Sequence, residues 1–159
     1  MNKRPHGFRA ELLYLSAECE RHSGNIITAD DLYREAAEVI LASGKAKQSQ
    51  KYQAILVEAA TVAKSRSHTE AQLGRAIEYL KTIEGTAFYA LRVLGSLVEL
   101  HAMMGQKEQY NGYLKRVTNL RDKDRTRFSQ AQLHGLEEAL SRARGYISPK
   151  QGGHKNSPR

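Results

Sequence analysis

The sequence predicts an all-α fold, and three features of its 159 residues lead to that prediction. Apolar residues recur at spacings of three and four almost throughout, which is the period of an amphipathic helix. The three prolines, Pro5, Pro149 and Pro158, lie near the ends, so the interior lacks the residue that most often breaks a helix. No clear alternation of apolar and polar residues indicates a strand.

Glycines mark most of the predicted helix ends, because glycine readily adopts the left-handed conformation that closes a helix. Five glycines stand where an apolar pattern stops: Gly24, Gly44, Gly85, Gly105 and Gly145. Two further boundaries fall in polar stretches, near residue 65, where Ser67 and Glu70 have capping-box spacing, and near residue 124. These boundaries predict seven helices, at residues 8–22, 29–43, 48–64, 69–83, 87–104, 107–121 and 127–144.

The boundaries recur at intervals near 20 and 40 residues, which indicates helix pairs with a period near 40. Residues 55–64 then align with residues 96–105. Four apolar residues of the aligned stretches are expected to be buried: Leu56, Val57, Leu97 and Val98. Because the connections are short, neighbouring helices should be antiparallel.

The pattern resembles the tetratricopeptide-type (TPR) helical repeat over residues 8–121. The first pair matches the positions of that repeat at Leu13, Ala17, Gly24, Ala29, Tyr33 and Ala36. The third pair matches it at Leu94, Leu97, Gly105, Leu114 and Val117, with His101 at the aromatic position. The chain departs from the pattern at Glu20, Lys64 and Tyr110, and its period exceeds the usual ~34 residues. A non-repeating helical bundle is therefore the alternative.

The resemblance implies a right-handed helical-hairpin repeat of three antiparallel helix pairs, with the seventh helix capping the open apolar end. The predicted organisation is a basic N-terminal segment at 1–7, a single repeat domain at 8–144 and a disordered basic tail at 145–159. The early acidic residues argue against a signal peptide and no apolar run is long enough to span a membrane, so we expect a cytoplasmic protein. Cys19 is the only cysteine, which excludes an internal disulfide, and we expect it to be packed.

The net charge of +8 is concentrated at the ends of the chain. Residues 11–114 carry 11 Lys/Arg and 13 Asp/Glu, whereas residues 115–159 carry 11 and 4. Basic ends attract nucleic acid, anionic lipid or acidic proteins. They also serve simply as solubilising segments, and the sequence leaves both interpretations open.

The first helix of each TPR pair lines a concave surface, so the resemblance implies a binding groove there. Three glutamates take equivalent positions, and four other residues lie near them: Glu18, Glu58 and Glu99, with Lys51, Arg92, Tyr14 and Arg21. Gly95 would let a ligand backbone approach closely. Since carboxylates accept charge-assisted hydrogen bonds, the predicted ligand is a peptide or helix of another protein that carries Lys or Arg. The alternative is that Lys51 and Arg92 merely pair with Glu58 or Glu99.

A basic cluster before the seventh helix is the candidate for a second function, nucleic-acid binding. Six residues could contact phosphates: Lys115, Arg116, Arg121, Lys123, Arg125 and Arg127. Asp122 and Asp124 interrupt the run, and Phe128 is its only aromatic residue. A solvated turn is the alternative.

No catalytic, metal or cofactor pattern is found in the sequence. The six histidines show no metal-ligand spacing, and His101 is expected in the core. Asp30 and Asp31 are expected to be exposed charged residues near the start of the second helix. We therefore predict a non-enzymatic adaptor, of chaperone or assembly-factor type, without a cofactor. The oligomeric state does not follow from the sequence.

Overall fold

A computed structural model of the chain describes residues 6–66 and 69–148. Over these residues it consists of helices and turns without a strand, which confirms the all-α class. The seven helices are α1 (His6–His22), α2 (Ile26–Ser43), α3 (Gln50–Arg66), α4 (Glu70–Thr82), α5 (Ala90–Met103), α6 (Lys107–Lys123) and α7 (Gln130–Ile147). Short 3-10 turns precede α3, at Ala46–Gln48, and α7, at Arg125–Arg127.

Every predicted helix is present, with ends within three residues of the predicted ones. Gly24, Gly44, Gly85 and Gly105 adopt the expected positive φ. Gly145 does not end a helix, because α7 continues to Ile147. The predicted tail at 145–159 therefore begins as helix, and its part from residue 149 onward lies outside the described residues.

Side-chain caps fix the starts of two helices. Thr69 caps α4 by accepting a hydrogen bond from the backbone N–H of Gln72, whereas the predicted cap, Ser67, lies outside the described residues. Ser129 and Gln132 form a reciprocal capping box at the start of α7. This box was not predicted from the sequence, although Ser–x–x–Gln is a recognised form of the motif.

The chain divides into two compact units, Met1–Val93 and Leu94–Arg159, and the boundary falls inside α5. In the first unit α1 packs against α2, α2 against α3 and α3 against α4. The largest fully buried side chains of this unit are Tyr33, Ile40, Ile55, Leu56, Tyr79, Leu80 and Ile83. The single repeat domain proposed for 8–144 stays a prediction.

Two ion pairs show that α1 and α3 run in the same direction. Lys51 Nζ lies 3.3 Å from Glu11 Oε2 near the start of both helices. Arg21 Nη1 lies 3.3 Å from Glu58 Oε2 further along both. The first helices of the first two predicted pairs therefore lie side by side and parallel.

In the second unit α6 packs against α7. Its buried residues include Leu97, Val98, Leu100, Val117 and Leu140. Leu56 and Val57 are buried in the first unit, and Leu97 and Val98 are buried in the second, as predicted.

Cys19 of α1 is exposed, so the expectation that it packs in the interior was wrong. The helix buries Ala10 and Ala17, and Cys19 lies on the opposite side.

Candidate protein-binding surface

A row of charged side chains runs along one side of α1 and α3 in the first unit. We call it the α1–α3 charge row, and it consists of Glu11, Glu18, Arg21, Lys51, Glu58 and Arg92. Helical periodicity explains the row, because residues three, four or seven apart share a face of a helix. The contributions of α1 follow one another by seven and three residues, and those of α3 are seven apart. Arg92 comes from the first turn of α5.

Glu58 is the centre of the row. Arg21 Nη1 lies 3.3 Å from its Oε2, and Arg92 Nη2 donates to its Oε1 at 2.7 Å. Arg21 also lies 3.8 Å from Oε1 of Glu18. Each arginine is more exposed than the carboxylate that it contacts, since the side chain of Glu58 retains only 19% of its accessible surface.

Glu18 is fixed from a second direction by α2. The hydroxyl of Tyr33, which is fully buried, donates to Glu18 Oε1. Burial raises the pKa of the Tyr33 phenol, and its bond to Glu18 raises it further. The ring of Tyr14 lies 6.0 Å from that of Tyr33, measured between centroids. Burial is the main cause that raises the pKa of Tyr14, and the negative charge of Glu18 raises it further. Both phenols therefore remain neutral near the carboxylate, and the Tyr33 hydroxyl donates to it.

The charge row thus contains five of the seven predicted binding residues, and a sixth, Tyr14, lies close enough to feel the charges of Glu18 and Glu58. Lys51 and Arg92 are paired with acidic groups, as the alternative interpretation anticipated, with Lys51 bound to Glu11 rather than to Glu58. The carboxylates of Glu18 and Glu58 are consequently not vacant acceptors. They are ordered acceptors with partly exposed cations around them, which suits a ligand that carries both signs of charge.

Glu99 is a different kind of residue from Glu18 and Glu58. It lies in the second unit and is 3% exposed, so the expectation of a solvent-accessible carboxylate was wrong. Arg142 of α7 binds it with two hydrogen bonds, Nε to Oε1 at 2.8 Å and Nη2 to Oε2 at 3.2 Å. Gly95 is also buried, and a Cβ at that position would come 3.0 Å from Leu136 Cδ1. Gly95 therefore serves close packing against α7 rather than ligand approach.

His101 is buried, as predicted, and lies in the same unit. Its Nδ1 is 2.6 Å from Oε1 of Gln106, and its ring stacks on Tyr113 with 5.3 Å between centroids. These contacts give His101 a structural role at the turn between α5 and α6.

A cleft between α2, α3 and α4 was not foreseen from the sequence. Its volume is about 230 Å³, and it is lined by Asp30, Arg34, Ala59, Ala63, Ala71, Gln72, Arg75 and Tyr79. Asp30 is 4% exposed and lies 2.5 Å from Arg66 Nη1, so its interpretation as a surface charge was wrong. The signal was available, because Asp30 shares the apolar face of α2 with Tyr33 and Ala37. Its pairing with arginine makes this cleft a structural ion-pair site.

The predicted nucleic-acid residues lie at the end of α6 and in the following turn. Arg121 is engaged by Asp122 at 3.0 Å and Glu137 at 2.5 Å, and its pKa is raised, first by its bond to Asp122. Arg127 lies 3.8 Å from Asp124. Arg116 lies over the ring of Tyr113. Lys115, Lys123 and Arg125 are exposed, so the cluster is only partly neutralised.

Residues 6–66 and 69–148 contain no group of three or more His, Cys, Asp or Glu side chains arranged to hold a metal ion. Within the same residues no helix has both the length and the apolar character needed to cross a membrane. Comparison with protein-family models, curated proteins and solved structures finds no match to this chain.

Proposed function

We propose that this chain is a non-enzymatic module of TPR-like helix pairs that binds a peptide or helical segment of another protein along the α1–α3 charge row. One observation carries the proposal: Glu18 and Glu58 are held in place by neighbouring side chains and yet remain partly exposed. A ligand that contacts ordered carboxylates does not have to immobilise them, so less conformational entropy is lost on binding. The parallel course of α1 and α3 supports the TPR-like arrangement.

The charge pattern narrows the chemistry of the ligand. Along α3, Lys51 and Glu58 are two turns apart, about 10 Å, and Glu11 and Glu18 have the same separation along α1. A partner helix that carries an acidic residue and a Lys or Arg two turns apart would match this pattern. Its acidic residue would face Lys51, and its cation would face Glu18 and Glu58. Tyr33 and Arg21 both contact Oε1 of Glu18, so the ligand cation is expected at Oε2.

The test compares partner capture by two variants with the same loss of charge. Glu18→Gln with Glu58→Gln removes two of the three carboxylates of the row and leaves Glu11 paired with Lys51, and glutamine at position 18 still accepts the bond from Tyr33. Glu70→Gln with Glu108→Gln is the matched control, because both residues are exposed and lie outside the row. We expect the wild type and the control to capture a protein partner that the Glu18→Gln, Glu58→Gln variant does not retain. Identical capture by all three folded proteins would contradict the proposal.

Nucleic-acid binding through the second unit is the alternative, and the exposure of Lys115, Lys123 and Arg125 favours it. The described residues of that unit hold nine Lys/Arg and six Asp/Glu. Phosphate contacts release counterions, so nucleic-acid affinity falls steeply with salt. Replacing the three exposed residues with serine would then weaken binding and flatten its salt dependence. A protein ligand at the charge row would be unaffected by that variant.

A further inference from the structure

The cleft between α2, α3 and α4 is lined largely by small side chains. Ala59 and Ala63 lie one turn apart on α3, and Ala71 lies in the first turn of α4. The ring of the buried Tyr79 adds an aromatic surface. Because alanine ends at Cβ, a volume of about 230 Å³ is left open, somewhat below the roughly 300–1,000 Å³ of pockets for drug-sized ligands. The cleft therefore has room for one small molecule, and not for a helix or an extended peptide.

The ion pair with Arg66 uses only one oxygen of Asp30. Asp30 lines the cleft and is 4% exposed. Its Oδ2 lies 2.5 Å from Arg66 Nη1 and 3.9 Å from Arg34 Nη2, whereas its Oδ1 accepts no hydrogen bond from any residue of 6–66 or 69–148. A ligand that displaces water from a carboxylate oxygen loses affinity unless it supplies a hydrogen bond in return. A ligand of this cleft therefore has to bring an N–H or O–H group to Oδ1.

The charges around the cleft favour a neutral ligand. Each charged side chain of the lining already has a partner of opposite sign, in the pairs Asp30–Arg66, Arg34–Asp31 and Arg75–Glu38. An ammonium group at Oδ1 would be repelled by the guanidinium groups of Arg66 and Arg34. A carboxylate there would be repelled by Asp30 itself.

Gln72 adds a hydrogen-bond donor to the lining. Its Oε1 accepts a bond from Thr69 Oγ1 at 2.6 Å, and its amide N–H groups donate to none of the described residues. The cleft thus offers an acceptor at Asp30 and a donor at Gln72. A primary carboxamide satisfies both, because it carries N–H donors and a carbonyl acceptor on one group.

We propose that this cleft binds a small neutral carboxamide with an apolar body. The ligand N–H donates to Asp30 Oδ1, its carbonyl accepts from Gln72, and its apolar part lies against the alanines and Tyr79. The site shares no residue with the α1–α3 charge row. Binding of a carboxamide in the cleft is therefore independent of the capture of a protein at the row.

Three probes that share a phenyl ring test the proposal: benzamide, acetophenone and benzoate. Two-dimensional NMR of the isotope-labelled full chain should show chemical-shift changes with benzamide at Ala63, Ala71 and Gln72. Acetophenone keeps the carbonyl but lacks the N–H, so its Kd should be at least about tenfold higher, as expected for one hydrogen bond to a charged group. Benzoate should leave these residues unchanged. Absence of benzamide shifts at these residues, equal Kd values for benzamide and acetophenone, or tighter binding of benzoate would overturn the proposal.

A substitution that fills the cleft tests the location of the site. Ala63→Leu places a larger side chain in the cleft and should abolish the benzamide shifts. Ala131→Leu is the matched control, since Ala131 is exposed on α7. Circular dichroism checks that the helices are retained, and Ala71→Leu, at an exposed position of the same lining, replaces Ala63→Leu if that variant does not fold. Unchanged benzamide binding by a folded, filled variant would overturn the proposal.

Discussion

Arg142 covers the buried carboxylate of Glu99 with two parallel hydrogen bonds, of 2.8 Å and 3.2 Å. The guanidinium is half exposed and the carboxylate is 3% exposed. The bond to Glu99 raises the pKa of Arg142 although partial burial opposes this change. This pair attaches α7 to α5 within the second unit, and it explains why a glutamate that resembles Glu18 and Glu58 in sequence has a different role.

Removing Arg142 should destabilise the second unit. Arg142→Ala leaves the Glu99 carboxylate buried without its bidentate partner, at a cost of about 1–3 kcal/mol. Urea unfolding should detect this loss, whereas Arg144→Ala, an exposed position on the same helix, should have little effect. Adding Glu99→Gln to Arg142→Ala should recover part of the stability, because a neutral amide is less costly to bury than a charge. Equal unfolding midpoints for the two arginine variants would contradict this role for the pair.

Two glycine substitutions should change stability in opposite directions. Gly112 lies inside α6 with no atom near the site of an added Cβ, so Gly112→Ala should stabilise the chain by about 0.5–1 kcal/mol. Gly105 has a φ of +70° at the end of α5, which alanine adopts only with strain, so Gly105→Ala should destabilise it. Thermal melts of the two variants measure both effects. A change of melting temperature in the same direction for both variants would contradict the different roles assigned to Gly112 and Gly105.

The capping box should contribute measurably to α7. Ser129→Ala removes the acceptor for the Gln132 N–H and should cost about 0.5–2 kcal/mol. Ser141→Ala, in the exposed middle of the same helix, is the control and should be neutral or slightly stabilising, since alanine is the better helix former. If denaturant unfolding gives the two variants the same stability, the box makes no net contribution.

Tyr14, Tyr33 and Tyr79 should titrate late in the folded protein. Burial raises the pKa of Tyr14, Tyr33 and Tyr79 above 10.0, with nearby glutamates adding to the effect. Unfolded chains lose these protons near pH 10, so the stability that depends on the neutral phenols is complete below that pH. It declines as the pH rises towards the folded-state values.

Near-ultraviolet absorbance of phenolate should separate these late-titrating tyrosines from those that titrate near pH 10. Tyr33→Phe should reduce the late absorbance change by the contribution of one tyrosine. Circular dichroism identifies the pH range in which the helices persist. If Tyr33→Phe and wild type gave the same absorbance change above pH 10 with the helices intact, Tyr33 would not be a late-titrating phenol.

Much of the fold followed from local patterns. Helix length and position depend on apolar periodicity and on glycine at the turns, and both are properties of neighbouring residues. For this reason all seven helices and the positive φ of Gly24, Gly44, Gly85 and Gly105 were predicted. Gly145 was misassigned, because α7 continues to Ile147 and the local signal for a helix end was not decisive there.

The candidate site depends on which residues of different helices contact one another, and the sequence predicted this only in part. Periodicity placed Glu18, Glu58 and Glu99 in one column of the alignment, yet Arg142 and α7 bury Glu99 while Glu18 and Glu58 stay partly exposed. The sequence by itself determined the helices and the faces on which charges lie, because these follow from a period of 3.6 residues. Only the tertiary structure decided which charges pair and which carboxylates keep contact with water, since burial is set by segments that are distant along the chain.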